Sequence, residues 1–199
     1  GFPQNATKLG ADAVILSLQK TLPAFTQTAL LNICGTYIDH RKIEKFLGIY
    51  ETSSPSYVLM SGIERCIHYI RENGERPFKE LRSDLDEFYS KTKLKNLRLV
   101  KKEDFSMDEA YDFDESKILI FTDNAGMSGQ VLLEKLLGEY QIQLEMASGN
   151  YALALCSIMD TKKGFDRLSY ALMDIDKKIS VNKNSVKTGS YVDNLSPKT

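Results

Sequence analysis

Tryptophan is absent from the 199 residues, proline occurs five times and cysteine three times. Cys34, Cys66 and Cys156 stand singly with no C-x-x-C pair, so neither a disulfide framework nor a zinc site is indicated, and reduced core thiols are the plain reading. No apolar run nears the roughly 20 residues that a membrane-spanning helix needs, and no basic-then-apolar leader is present, so a cytoplasmic location is expected. Neither sign of charge dominates: 26 basic residues stand against 27 acidic, a formal net charge of -1, which predicts no nucleic-acid footprint.

What is present is an ordinary globular composition, 42% apolar and 27% charged, in a chain long enough to bury a core. Residues 11–18 (ADAVILSL) form a nearly unbroken apolar run, the pattern of a strand buried on both faces of a parallel sheet, and 28–34 (TALLNIC) read as a second. Ile43, Phe46, Leu47 and Tyr50 repeat at helical spacing, predicting an amphipathic helix over 38–50 that covers the sheet. A hydroxyl cap and Pro55 open a helix over 55–73 that Gly74 can close, and a further helix follows over 78–91. Beyond about Leu94 a smaller unit is expected: a strand at 117–121, a turn at 123–129, a helix over 130–140, a hairpin of 142–146 with 151–159, and a last helix over 165–176. The fold class is therefore α/β in two parts, and 180–199 read as a polar tail or truncated segment. Gly1-Phe2-Pro3-Gln4, with no initiator Met so close to a strand, reads as a cut.

Lys20 leaves the C-terminal end of the first strand, where open α/β sheets place their ligand crevice. A lysine there is most simply a solvated edge residue. Its company argues for more: Ser17, Gln19 and Thr21 could grip a phosphate, and a desolvated amine can act as a nucleophile.

The run from Gly10 to Gln27 (GADAVILSLQKTLPAFTQ) resembles the cofactor-lysine segment of the ornithine/lysine/arginine decarboxylases, pyridoxal-phosphate (PLP) enzymes of the aspartate-aminotransferase fold. Thr52–Met60 (TSSPSYVLM), Gly126-Met127-Ser128-Gly129 and Ile142–Met146 (IQLEM) resemble later stretches of that family in the same order. The resemblance implies that Lys20 is the Schiff-base lysine, that Ser17 and Gln19 contact the cofactor phosphate, and that 1–93 belong to a PLP-binding large domain with bridging helices. It implies a small C-terminal domain over 94–179, a homodimer, and a basic amino acid as substrate. The family's usual Ser-x-His-Lys is here Ser17-Leu18-Gln19-Lys20. Its ring-nitrogen Asp and stacking His come from a segment ahead of this one, so a fragment inactive by itself is expected. The alternative left open is a degenerate, non-catalytic relative kept for oligomerisation or regulation.

The other candidates have plainer readings. His40 and His68 read as surface or structural residues, and no metal site is expected. Gly126-Met127-Ser128-Gly129 lacks the Gly-Lys-Ser/Thr ending of a P-loop and reads as a strand-to-helix turn capped by Ser128. The seven acidic residues from Glu103 to Glu115 read as a solvated face.

Overall fold

The computed structural model describes residues 2–106, 108 and 110–179. The expected tail at 180–199 lies outside them. The chain divides into two units, Gly1–Arg82 with Ser157–Met159, and Ser83–Cys156 with the residues from Asp160 onward. No described helix is long and apolar enough to cross a membrane.

In the first unit β1 (Ala13–Ser17) pairs antiparallel with β2 (Ala29–Ile33), Ala13 opposite Ile33 and Ser17 opposite Ala29. Both strands lie where the apolar runs put them, but the expected parallel pairing does not occur. Eleven residues separate them, fewer than a crossover needs, and a single helical turn, α1 (Leu18–Thr21), fits that span. Nor are the strands buried on both faces; Ile15 is 79% exposed. α2 (His40–Tyr50) starts at Asp39, whose carboxylate accepts the N–H groups of Arg41 and Lys42. It buries no residue, so it does not cover the sheet: Phe46 stacks on Tyr50, and both rings are exposed.

α3 (Tyr57–Asn73) begins two residues later than the proline suggests, because Ser56 rather than an earlier serine accepts the Leu59 N–H. α4 (Glu75–Lys91) follows at once. Gly74 does not close α3 in the left-handed region; its φ of -60° and ψ of -31° keep it helical. Leu18, Cys66 and Leu81 are the buried apolar side chains of this unit among the described residues.

The second unit has a continuous core. β3 (Arg98–Leu99), β4 (Lys117–Phe121), β5 (Met146–Ser148) and β6 (Tyr151–Leu155) form a sheet in the order β3-β4-β6-β5, antiparallel throughout. Ile118 and Ile120 stand opposite Ala154 and Ala152 on the buried face. α5 (Gly129–Tyr140) and α6 (Lys162–Lys178) supply Leu132, Leu136 and Leu172 to this core, and the last turns of α4 add Leu85 and Phe88. Small alanines on β6 leave room for these larger side chains, the complementarity that close packing requires. Gly129 sits so close to β6 that a Cβ would lie 1.8 Å from the Tyr151 carbonyl oxygen.

The carboxylate of Asp176, buried in α6, accepts the N–H groups of Lys95, Asn96 and Leu97 at 2.8, 2.8 and 2.7 Å. On the surface Lys91 pairs with Asp166, and Glu87 with Lys162, joining α4 to α6.

Candidate functional site

Ser17, Gln19 and Lys20 share the turn that carries the chain out of β1. Ser17 is the residue before α1, extended at φ -83° and ψ 93°, and its hydroxyl makes no capping bond. Leu18 turns inward and is 5% exposed, which anchors the turn; Ser17 and Lys20, three residues apart, are exposed. Lys20 is not without interaction partners in the molecule. Gln19 is half-buried, and its Oε1 is buried with no hydrogen-bond partner.

The turn is held from below by a residue the sequence reading passed over. Thr28 is 1% exposed; its hydroxyl donates to the Phe25 carbonyl at 2.6 Å, and its own carbonyl accepts the Leu18 N–H at 3.2 Å. Gln27 precedes it with φ at 74°, a left-handed residue that reverses the chain into β2. A threonine at the start of an apolar run is too common a pattern to have been singled out. Two close approaches brace the same region. A Cβ on Gly35 would lie 1.5 Å from the Asp12 carboxylate, and one on Gly62 would lie 2.5 Å from the Phe25 ring.

A phosphate-bearing aldehyde needs hydroxyl or amide donors for its oxygens and an amine for its carbonyl. This turn supplies an uncommitted hydroxyl at Ser17, an amine at Lys20 and, at Gln19, an amide whose buried end lacks a partner. Rotating that amide by half a turn would present its N–H₂ on the buried side instead. The residues present fit such a group. Two cavities of the first unit lie elsewhere, one along α3 and one where α3 gives way to α4.

The remaining candidates settle into structural roles. Ser128 caps α5 by accepting the Val131 N–H at 3.3 Å, after Gly126 at φ 64°, so the 126–129 segment is a strand-to-helix turn. The acidic stretch is tied locally: Asp104 to the Lys101 N–H, Asp112 to Lys102, and Asp114 to Ser116 and Lys117. His40 opens α2 at the surface, and His68 lies 3.1 Å from Glu72 on the exposed side of α3. Cys66 and Cys156 are buried thiols, but Cys34 is exposed and is not a core thiol. Among the described residues no three His, Cys, Asp or Glu side chains are grouped to hold a metal ion.

No family model matches the chain. It is similar to the arginine decarboxylase of Halalkalibacterium halodurans, 25% identical over 175 residues, which are 87% of this chain and 36% of that protein. The chain thus spans about a third of the length of the curated relatives it matches. Among solved structures it resembles the constitutive lysine decarboxylase of Escherichia coli, with a TM-score of 0.68 at 18% identity over 83% of this chain and 28% of that one. An alanine–glyoxylate aminotransferase from Nostoc matches with a TM-score of 0.54 at 17% identity, over 84% of this chain and 48% of that one. At such identities the structural likeness speaks for the fold: α/β, shared with decarboxylase and aminotransferase chains.

Proposed function

We propose that this chain is the lysine-bearing part of a PLP-dependent decarboxylase acting on a basic amino acid: lysine, arginine or ornithine. The observation that carries the reading is the turn after β1, where an exposed amine and an uncommitted hydroxyl sit three residues apart. Relatives named arginine decarboxylase support it.

In this reading Ser17 donates its hydroxyl to the cofactor phosphate, and the Gln19 amide donates beside it. Lys20 would hold the cofactor through its Nζ, and the same amine would be placed to move a proton at the reacting carbon. PLP, when bound, supplies an electron sink for the pair left behind as carbon dioxide departs. Gln19, unlike an imidazole, cannot change charge near neutral pH. Its grip on the phosphate is that of a neutral amide. The parent works as a homodimer in the cytoplasm, and the 199-residue chain alone does not turn over substrate.

Borohydride reduction of the longer parent loaded with PLP, followed by peptide mass mapping, tests the assignment. A phosphopyridoxyl adduct on Lys20, lost in Lys20→Ala and made about tenfold harder to load in Ser17→Ala, is the expected result. A folded, PLP-supplied parent with no adduct at Lys20 would instead support the degenerate scaffold.

A further inference from the structure

In the second unit the segment 141–145, the end of β6 and the start of α6 enclose a cavity of about 330 Å³. Its floor is apolar: Leu144, Ala154, Cys156, Phe165 and Leu168 are all buried. Its mouth is charged, with Glu145 on one wall and Asp160 and Arg167 on the other, all three exposed. Asp160 lies close enough to the floor for its charge to help raise the Cys156 thiol. Arg167 is fixed at one nitrogen: Nη2 donates to the Tyr140 carbonyl at 3.0 Å and to the Gln141 carbonyl at 3.5 Å, where α5 ends. Nη1 and Nε hold no acceptor among the described residues. Gly164 borders the same cavity from the first turn of α6. Its backbone is not left-handed, and a Cβ there would have only Thr161 Oγ1 nearby, at 3.7 Å, so the fold has room for a side chain at this position. Glycine weakens a helix relative to alanine, and its effect here is to leave that side of the cavity clear.

We propose that this cavity binds a free α-amino acid with an apolar side chain. The side chain lies on the buried floor, the carboxylate takes the Nη1 donors of Arg167, and the ammonium is received by Asp160 and Glu145. Groups of both signs at one mouth over an apolar floor match such a zwitterion at three points. A simple anion would meet the two carboxylates, and a simple cation the guanidinium. Asp160 and Glu145 have other interactions in the molecule, but a carboxylate accepts several donors at once. The cavity is built wholly from residues of the second unit and includes none of the Lys20 turn, so the proposal stands without the decarboxylase reading.

A saturation-transfer NMR titration of the full chain with L-leucine tests it. The expected dissociation constant is about 1 mM or tighter, the range of a small ligand held by few contacts. Isocaproate, which lacks the amine, and isoamylamine, which lacks the carboxylate, bind at least about tenfold more weakly. So do lysine and arginine, whose side-chain charge would lie on the apolar floor. Two variants locate the site. Gly164→Leu fills the cleared side of the cavity and weakens leucine binding at least about tenfold. Arg167→Gln, which can still donate to the carbonyls at the end of α5 but carries no charge, has a similar effect. Far-UV circular dichroism checks that both variants keep their helices, and Lys20→Ala leaves the affinity unchanged. No binding of leucine up to about 10 mM overturns the proposal. So does binding that survives both variants, or that the amine-free or carboxylate-free analogue equals.

Discussion

The Leu18 N–H donates to the Thr28 carbonyl at 3.2 Å, closing the loop that carries Lys20 between β1 and β2. Thr28 also clamps the loop through its hydroxyl on Phe25. Thr28→Val keeps the shape and removes that bond, worth about 1 kcal/mol. The Leu18 amide should then exchange its hydrogen about fivefold faster. Unchanged protection in a hydrogen-exchange experiment would show that the turn is held by something else.

Asp176→Ala removes the acceptor for three backbone donors, of which the Leu97 N–H is buried and the Lys95 and Asn96 N–H groups are part-buried. Hydrogen bonds to a charged group contribute about 1.5–3 kcal/mol each, and a buried donor left unmet costs about 1–3 kcal/mol, so a loss of about 3 kcal/mol or more is expected. Asp176→Asn, which retains one acceptor oxygen, should fall between that variant and the natural chain. Urea unfolding of the three proteins gives the order directly.

Gly129→Ala is the sharpest steric test of the second unit. The new methyl would meet the Tyr151 carbonyl, which is backbone and cannot swing away. A loss of about 3 kcal/mol is expected, against roughly 1 kcal/mol of gain for the same change at an unhindered helical position. A variant as stable as the natural chain would mean that α5 and β6 are further apart than described.

The thiols should separate by reactivity. At neutral pH a thiol reagent should modify Cys34 promptly and spare Cys66 and Cys156 until the chain unfolds. Burial, helped by the charges of Asp160 and Asp114, pushes the Cys156 thiol up to about 12. The unfolded thiol ionises nearer 8.5. Its native proton is therefore held after the unfolded chain has released its own, and stability falls as pH rises from about 8.5 toward 12. Cys156→Ala should flatten that alkaline limb of the unfolding midpoint measured against pH.

Much of this arrangement can be read from the residues. The apolar run KILIF is β4 residue for residue, and the helical periodicities at α2, α5 and α6 mark real helices to within a few positions. What the pattern could not supply was partnership. An unbroken apolar run is the same whether its neighbours are parallel or antiparallel, so β1 was expected in a parallel sheet and occurs in an antiparallel pair. β3, only two residues long, carries no periodicity to detect. The segment at 142–145 is apolar at alternate positions but follows Gln141 in the left-handed region, and the strand begins only at Met146. At the candidate site, that Ser17, Gln19 and Lys20 lie together was legible because adjacency in the chain fixes adjacency in space. Thr28, Asp12 and Gly62 act through contacts between distant positions, which only the folded chain shows.

The Asp176 clamp also bears on the order in which the protein can be made. It joins positions some 80 residues apart, so the start of the second unit's sheet waits for the last described helix to leave the ribosome. Until then the strands around Leu97 have emerged with neither their carboxylate nor the helical cover that α6 provides, the kind of exposed intermediate that chaperones bind. A nascent chain halted before Asp176 should be held unfinished in this unit however long it is given.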